Sequence, residues 1–431
     1  MNLEIIAILL FAAIFLFILT GYPVAFLLGG LSVIVGILFV PDFIDFLPLR
    51  IMGNVQNYVL LAVPLFVFMG LTLEKSGIAE ELLQSMGVLF GKVKGGLALS
   101  VVIVGTLLAA STGIVGATVI AMGLISLPIM LKKGYSVTLS TGVIASSGTL
   151  GQIIPPSVIL VLLGSVLNVP VGDLFRAAVI PGFLLVFAYI IYIIVYAFIY
   201  PERAPALPEE EIRAYKKDNY AKKIAKAFIY PMVLIISVLG VIFSGIASPT
   251  EAAAVGALGA VLLSVFQRKL TFSLLKTVSI ETTYLTSMVF MILLGAATFS
   301  LVFRGLGGDK MLVNAVEASQ LGPYHFLFLV MVVVFIAGFF IDFIEIIFII
   351  VPVVAPIFIK FQLDPLWIGI LFALNLQTSF LTPPFGFALF YLKGVAPPEV
   401  KTIDIYKGVV PFIIIQLLVL IIVSFFPSII L

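Results

Sequence analysis

Two adjacent prolines interrupt apolar stretches twice in this chain, at Pro155-Pro156 and at Pro383-Pro384, 228 residues apart. Ser147 to Ser157 reads Ser-Gly-Thr-Leu-Gly-Gln-Ile-Ile-Pro-Pro-Ser, and Asn375 to Phe385 reads Asn-Leu-Gln-Thr-Ser-Phe-Leu-Thr-Pro-Pro-Phe. A proline pair removes two backbone donors and cannot continue a helix smoothly. In hydrocarbon such a break survives only where protein or a water-filled cavity satisfies the freed carbonyls. Matching breaks in two halves of one chain therefore mark a binding site built where internal repeats meet.

The surroundings are hydrocarbon by composition. Of 431 residues, 62% are hydrophobic and 10% charged, against about a quarter charged in a soluble domain, and the mean hydropathy is +1.31. The fold class is an all-α polytopic membrane protein. The absence of cysteine excludes disulfide frameworks and thiolate metal sites. A single histidine, His325, excludes a histidine-rich metal cluster. The net charge of +2 gives no argument for nucleic acid. No Gly-x-x-x-x-Gly-Lys-Ser/Thr run occurs, so ATP-driven transport by this chain is not expected. The first apolar run, Ile5 to Leu19, lacks a basic segment before it and reads as a retained helix.

Runs long enough to cross a bilayer lie at roughly 4–20, 23–40, 55–73, 178–200, 229–246, 249–266, 279–303 and 408–429. Two apolar regions are interrupted, 95–131 at Ser111-Thr112-Gly113 and 324–359 near Phe340 to Glu345; each could be two full spans or a re-entrant hairpin. The proline-pair regions, about 136–167 and 366–392, read as single spans broken in the middle. Ile78 to Phe90 and Lys310 to Leu321 read as amphipathic helices in the interface. The polar linker after Tyr200 carries Arg203, Arg213, Lys216, Lys217, Lys222, Lys223 and Lys226, which places it in the cytoplasm. With both interrupted regions re-entrant, about 18 of the 23 Lys and Arg residues fall on the cytoplasmic side. Arg50, Arg176, Arg304, Lys310 and Lys360 fall outside, both termini are external, and the chain has about 11 transmembrane helices plus two hairpins.

The spacing of 228 extends beyond the prolines. Leu127-Pro128-Ile129-Met130-Leu131-Lys132 matches Ala355-Pro356-Ile357-Phe358-Ile359-Lys360, and Ser76-Gly77 falls on Arg304-Gly305. Near the ends, Tyr22-Pro23 parallels Ser248-Pro249 two residues closer, and Phe175 to Pro181 parallels Ile405 to Pro411 two residues further. An odd number of crossings separates equivalent points, so the halves are inverted repeats. The expected organisation is a first repeat over 1–200, a cytoplasmic linker over 201–228 and a second repeat over 229–431. The inner hairpin is then 95–131 and the outer hairpin 324–359.

Of 21 acidic residues, Asp342 and Glu345 alone cannot be assigned to loops or span ends. Three apart, they would share one helix face. Carboxylates in the membrane cost about 2.5–3.5 kcal/mol on insertion scales and point to function by default. They could couple an ion or substrate, or one could pair with a base for assembly. Pairing the 111–113 tip with Ser147, Gly148 and Gly151 would give one cation site of hydroxyls and exposed backbone. Pairing Phe340 and Asp342 with Gln377, Thr378, Ser379 and Thr382 would give the second. Small residues in the first group could equally serve helix packing. Arg304 could anchor a carboxylate substrate through its planar fork or mark an interface. Ser157 could donate to the same substrate from a half-helix N-terminus.

The run Ala145 to Ser157 closely resembles a signature of the large membrane subunit of tripartite ATP-independent periplasmic (TRAP) transporters. Pro23 to Gly30, Ser248-Pro249-Thr250-Glu251-Ala252 and Thr382-Pro383-Pro384-Phe385-Gly386 fit the same pattern, over essentially the whole chain. The resemblance implies a sodium-driven importer of a small organic acid in a bacterial or archaeal inner membrane. It implies an elevator fold of the ion-transporter superfamily, with a scaffold and a moving transport domain. Its implied partners are a separate small four-helix membrane subunit, an extracytoplasmic substrate-binding protein and the surrounding lipids. Sodium is then the coupling ion, with no organic cofactor. The substrate would lie near Ser111, Ser157, Arg304 and Asp342. A stand-alone sodium/dicarboxylate symporter of the broader superfamily is the alternative, and a channel or intramembrane enzyme a distant third.

Overall fold

The computed structural model describes residues 3–216, 220, 224 and 228–430, without the side chains of Ala79, Ser111, Thr112, Ala214, Tyr215 and Lys216. Part of the linker's basic run, Lys217, Lys222, Lys223 and Lys226, lies outside the described residues. Among the described residues all regular structure is helical.

The chain opens with α1 (Leu3–Ile18), α2 (Val24–Phe39) and the short α3 (Pro41–Ile44) and α4 (Leu47–Val55). A 3-10 turn over Tyr58–Leu61 leads into α5 (Ala62–Lys75), followed by the amphipathic α6 (Ile78–Leu89). A tight helical hairpin comes next, α7 (Gly96–Thr112) and α8 (Val115–Lys132), and then a broken pair, α9 (Val137–Thr149) and α10 (Val158–Leu167). The long α11 (Val171–Ile199) closes this half, and α12 (Glu209–Lys216) lies in the linker.

The same order recurs. α13 (Tyr230–Phe243), α14 (Pro249–Phe266), α15 (Phe272–Gly305) and the amphipathic α16 (Gly308–Ala318) precede a second hairpin, α17 (Pro323–Ala337) and α18 (Phe343–Lys360). The second broken pair is α19 (Pro365–Leu381) and α20 (Phe387–Val395), and α21 (Thr402–Phe425) is the last long helix. α18 begins and ends 228 residues after α8.

Among the described residues, seven helical segments are long and apolar enough to cross a membrane alone, and two of these are the return arms α8 and α18. Three spans begin earlier than the apolar runs suggest: α11 at Val171, α15 at Phe272 and α21 at Thr402. Their first turns are polar, with Asp173 and Arg176 paired at 3.5 Å on α11. A helix continues past the end of hydrocarbon as long as its backbone bonds are satisfied, so the apolar run underestimates it. Pro181 and Pro411 accordingly lie inside their helices.

The start of α14 shows how a sequence motif becomes a helix end. Ser248 is the N-cap, Pro249 occupies the first turn, and Glu251 completes a capping box by accepting from the Ser248 N–H at 2.8 Å. Thr250 Oγ1 then donates to Tyr58 O at 3.1 Å, tying α14 to the turn before α5.

Two sets of helix contacts stand out, joined where α5 meets α7 and α15 meets α18. α2 and α5 lie against α15, with α14 against α5 and α13. α7, α8 and α21 surround α9, while α17, α11 and α21 lie against α19. The linker is docked. Gly95 N donates to Ala204 O and Leu207 N to Gly91 O, both at 2.8 Å, and Ser136 N donates to Arg203 O at 2.9 Å. Lys133 and Glu211 add an ion pair.

Candidate functional site

The first break starts where α9 ends at Thr149. One 3-10 turn, Leu150–Gln152, precedes a non-helical passage up to Val158. The Pro155–Pro156 bond is cis. Ser157 Oγ donates to Gln152 O at 2.8 Å across this passage. Gly113 closes α7 in the left-handed region at φ +62, its N–H donating to Ala109 O, and Ile114 leads directly into α8. A Cβ on Gly113 would stand 3.0 Å from Val158 N, and one on Gly151 would overlap Ala109 O. The hairpin tip and the first break are therefore interlocked through bare backbone. Ser147, Gly148, Gly151 and Ser157 are buried; a Cβ on Gly105 of α7 would overlap Ser147 Oγ, and one on Gly148 would overlap Val119 of α8. Ser147 Oγ donates to Ile144 O at 3.2 Å, which leaves its lone pairs to accept or ligate. The side chains of Ser111 and Thr112, the other residues expected at this tip, lie outside the described residues.

The second break follows Leu381. Thr382 caps α19, its N–H donating to Ser379 O and its Oγ1 to Thr378 O at 2.7 Å. Thr378 Oγ1 and Ser379 Oγ donate to Leu374 O and Leu376 O at 2.8 and 2.9 Å. These hydroxyls spend their protons on their own helix and keep oxygen lone pairs for a ligand. The Pro383–Pro384 bond is also cis. The tip of the second hairpin meets this break: the Phe340 and Phe385 rings are 5.3 Å apart, and a Cβ on Gly338 would overlap Ser379 Oγ.

Asp342 and Glu345 do not share a helix face. Asp342 is the N-cap of α18, in extended conformation at ψ 160, and accepts from Phe343 N at 2.8 Å. Glu345 Oε2 accepts from Asp342 N at 3.2 Å, completing a capping box. An N-cap lies off the helix, so the spacing rule for helix faces does not reach it. Neither carboxylate has a basic partner among the described ion pairs.

Each break carries a fully buried glutamine. Neither amide atom of Gln152 or of Gln377 has a hydrogen-bond partner among the described residues. Leaving such a group unpaired costs about 1–3 kcal/mol, which calls for a ligand, ion or water. Gln377 was expected in the second cluster. Gln152 lies outside the expected first cluster; it stands three residues before its proline pair, Gln377 six before its own.

The two clusters converge. α10 packs on α18 and α20 packs on α8, so the second half of each broken helix rests on the other hairpin's return arm. Tyr391 of α20 lies over the first tip, 3.1 Å from a Cβ placed on Gly116. It carries no signal in the sequence, where it reads as one tyrosine in an apolar run. The breaks differ in exposure: Pro155, Pro156 and Ser157 are buried, whereas Phe385 is 44% and Tyr391 39% exposed. Arg304 stands apart. It is exposed in the last turn of α15, and its side chain makes no ion pair or hydrogen bond among the described residues.

Two hairpins meeting two broken helices define a polytopic membrane transporter rather than an enzyme. The fold is similar over 99% of this chain to the Alcanivorax borkumensis YdaH transporter and covers 98% of it, with a TM-score of 0.65 at 13% identity, a likeness of fold alone. The family model for the tripartite ATP-independent periplasmic transporter, DctM component, matches residues 11–429, and the chain belongs to that family. Relatives include the C4-dicarboxylate TRAP transporter large permease protein DctM of Pseudomonas aeruginosa, 32% identical over 93% of this chain and 91% of that one. The ectoine TRAP transporter large permease protein TeaC of Halomonas elongata is 32% identical over 88% and 87%. The sialic acid TRAP transporter large permease protein SiaM of Vibrio cholerae is 30% identical over 95% and 93%.

Proposed function

We propose that this chain carries a small organic acid inward across the cytoplasmic membrane, driven by sodium. The observation that carries the reading is the pair of tip-and-break clusters, each with backbone and hydroxyl oxygens and an unpartnered buried glutamine. Hard oxygen ligands suit a monovalent cation. The first cluster supplies Ser147, Gly148 and Gly151 with the Ser111-Thr112-Gly113 tip; the second supplies Phe340, Asp342, Gln377, Thr378, Ser379 and Thr382. The carboxylate substrate is held between them, near Ser157 and Asp342, with Arg304 as an external anchor.

The halves 1–200 and 229–431 act as inverted repeats joined by the cytoplasmic linker, with both termini external. The hairpins and broken helices move together as an elevator against a scaffold built around α2, α5, α14 and α15. The substrate is delivered by an extracytoplasmic binding protein, and a separate small four-helix membrane subunit completes the transporter.

Proteoliposomes holding both membrane subunits and the binding protein are expected to accumulate substrate only under an inward sodium gradient. Uptake that persists without sodium, or without the binding protein, refutes this reading. Uptake by this chain alone favours a stand-alone symporter instead.

A further inference from the structure

The two breaks are not braced alike. α21 lies along α9, the helix that leads into the first break, and their backbones touch where Gly408 faces Gly142. A Cβ on Gly408 would also stand 2.9 Å from Thr141 Oγ1. Further along both helices, Gln416 Nε2 donates to Thr149 Oγ1 at 3.4 Å and to Tyr189 OH at 2.8 Å. Both contacts advance in the same chain direction, so α9 and α21 are parallel and Gln416 arrives at the depth of the break. Thr149 is the last residue of α9, and its own Oγ1 donates to Ser146 O at 2.8 Å.

All three side chains are buried, Gln416 to 1% and Tyr189 and Thr149 completely. The Tyr189 ring is held edge-on by Phe412 at 5.0 Å. An amide costs free energy to bury unless its bonds are made, and an apolar side chain would fill the same space without that cost. The other half uses apolar residues. In the register that aligns Phe175–Pro181 with Ile405–Pro411, Gln416 falls on Val186 and Tyr189 on Val419. The polar brace thus exists at the first break alone, and it links both last helices to the end of α9.

We infer that Gln416 is a positioning residue for the first break: it holds Thr149 and the last turn of α9 in place and so sets the spacing of the oxygens that bind the first cation. This rests on the sodium reading above. Gln416 acts through Thr149 by its Nε2; its Oε1 has no hydrogen-bond partner among the described residues.

The test is Gln416→Leu, with Tyr189→Phe as a milder second variant that still folds if the first does not accumulate. Hydrogen exchange of the assembled membrane protein is expected to speed up several-fold over residues 145–157 and to stay unchanged over 375–386. In proteoliposomes the sodium concentration for half-maximal uptake should rise about 5- to 10-fold, the scale of a lost buried hydrogen bond. The effect should fall on half-saturation more than on maximal rate. Unchanged exchange over 145–157 overturns the inference, as does a rise shared equally by both breaks, which would mean general loosening. Faster exchange with unaltered half-saturation overturns the link to affinity. If wild-type uptake ignores sodium, the sodium reading falls, and the exchange pattern still decides whether Gln416 braces the break.

Discussion

Asp342 does two separable jobs in the proposed mechanism, and substitution can divide them. As N-cap of α18 it accepts from Phe343 N at 2.8 Å through one oxygen. Asparagine caps a helix about as well as aspartate, whereas alanine at an N-cap costs about 1 kcal/mol. Spread over the unfolding entropy of a chain of 431 residues, that is a shift of only about 1 °C in Tm. The charge is a larger quantity. A carboxylate about 4 Å from a monovalent cation contributes roughly 4 kcal/mol at an effective dielectric near 20, and losing even a third of that is about tenfold in affinity. Asp342→Asn should therefore keep wild-type thermostability and raise the sodium concentration for half-maximal uptake at least about tenfold. Asp342→Ala should do the same and lose the cap as well. The assay is sodium-dependent uptake in proteoliposomes, normalised to folded protein by fluorescence size exclusion. Wild-type uptake and sodium dependence in a well-folded Asp342→Asn would refute the coupling role and leave Asp342 as a cap alone.

Glu345→Gln should be nearly silent in stability, because glutamine also completes a capping box, and uptake above half of wild type would confirm that its charge is secondary. Gly151→Ala should destabilise by about 1–3 kcal/mol, since the added carbon overlaps Ala109 O in a site with no room to yield; a melting curve matching wild type would contradict the interlocked tip. Gly113→Val should fail at lower temperature than Gly151→Ala, because its φ of +62 adds a backbone penalty of about 1–2 kcal/mol to the contact with Val158. Ser248→Ala serves as the control: it removes the α14 N-cap at about 1 kcal/mol and should leave uptake per folded molecule unchanged.

Much of this fold is written locally. The proline pairs stop helices wherever they occur, and Gly113 permits the reversal between α7 and α8. The repeat spacing carried the second half from the first, down to the matched ends of α8 and α18. What escaped was either hidden by hydrocarbon or distant in the chain. The interruption near Phe340 to Glu345 is legible in the sequence, but hydropathy does not say that a helix starts at Asp342. The Asp-Phe-Ile-Glu order, which fits the capping-box spacing with aspartate as the cap, was the available clue. Gln416 had none, since its partners lie 227 and 267 residues away. Arg304 keeps both of its readings: its residue type suits a carboxylate, and the fold leaves it exposed in the last turn of α15.

The difference between the breaks bears on how two such clusters divide their work. In the proposed mechanism a fully buried break, closed by a hairpin tip and braced by Gln416, holds the small ion, and the organic acid borders it at Ser157. Its unpartnered amide, Gln152, then faces a ligand no larger than a cation or a water. The second break has the same backbone plan but opens along Phe340, Phe385 and Tyr391, which are 49%, 44% and 39% exposed. Aromatic faces there give apolar area next to the half-buried Thr382, the mixed lining that small-molecule sites require. The two glutamines are alike in burial and the two proline pairs alike in conformation, so the division cannot come from the breaks themselves. It comes from what the two hairpins place against them: bare glycine backbone at the first, and a phenylalanine with a capping aspartate at the second.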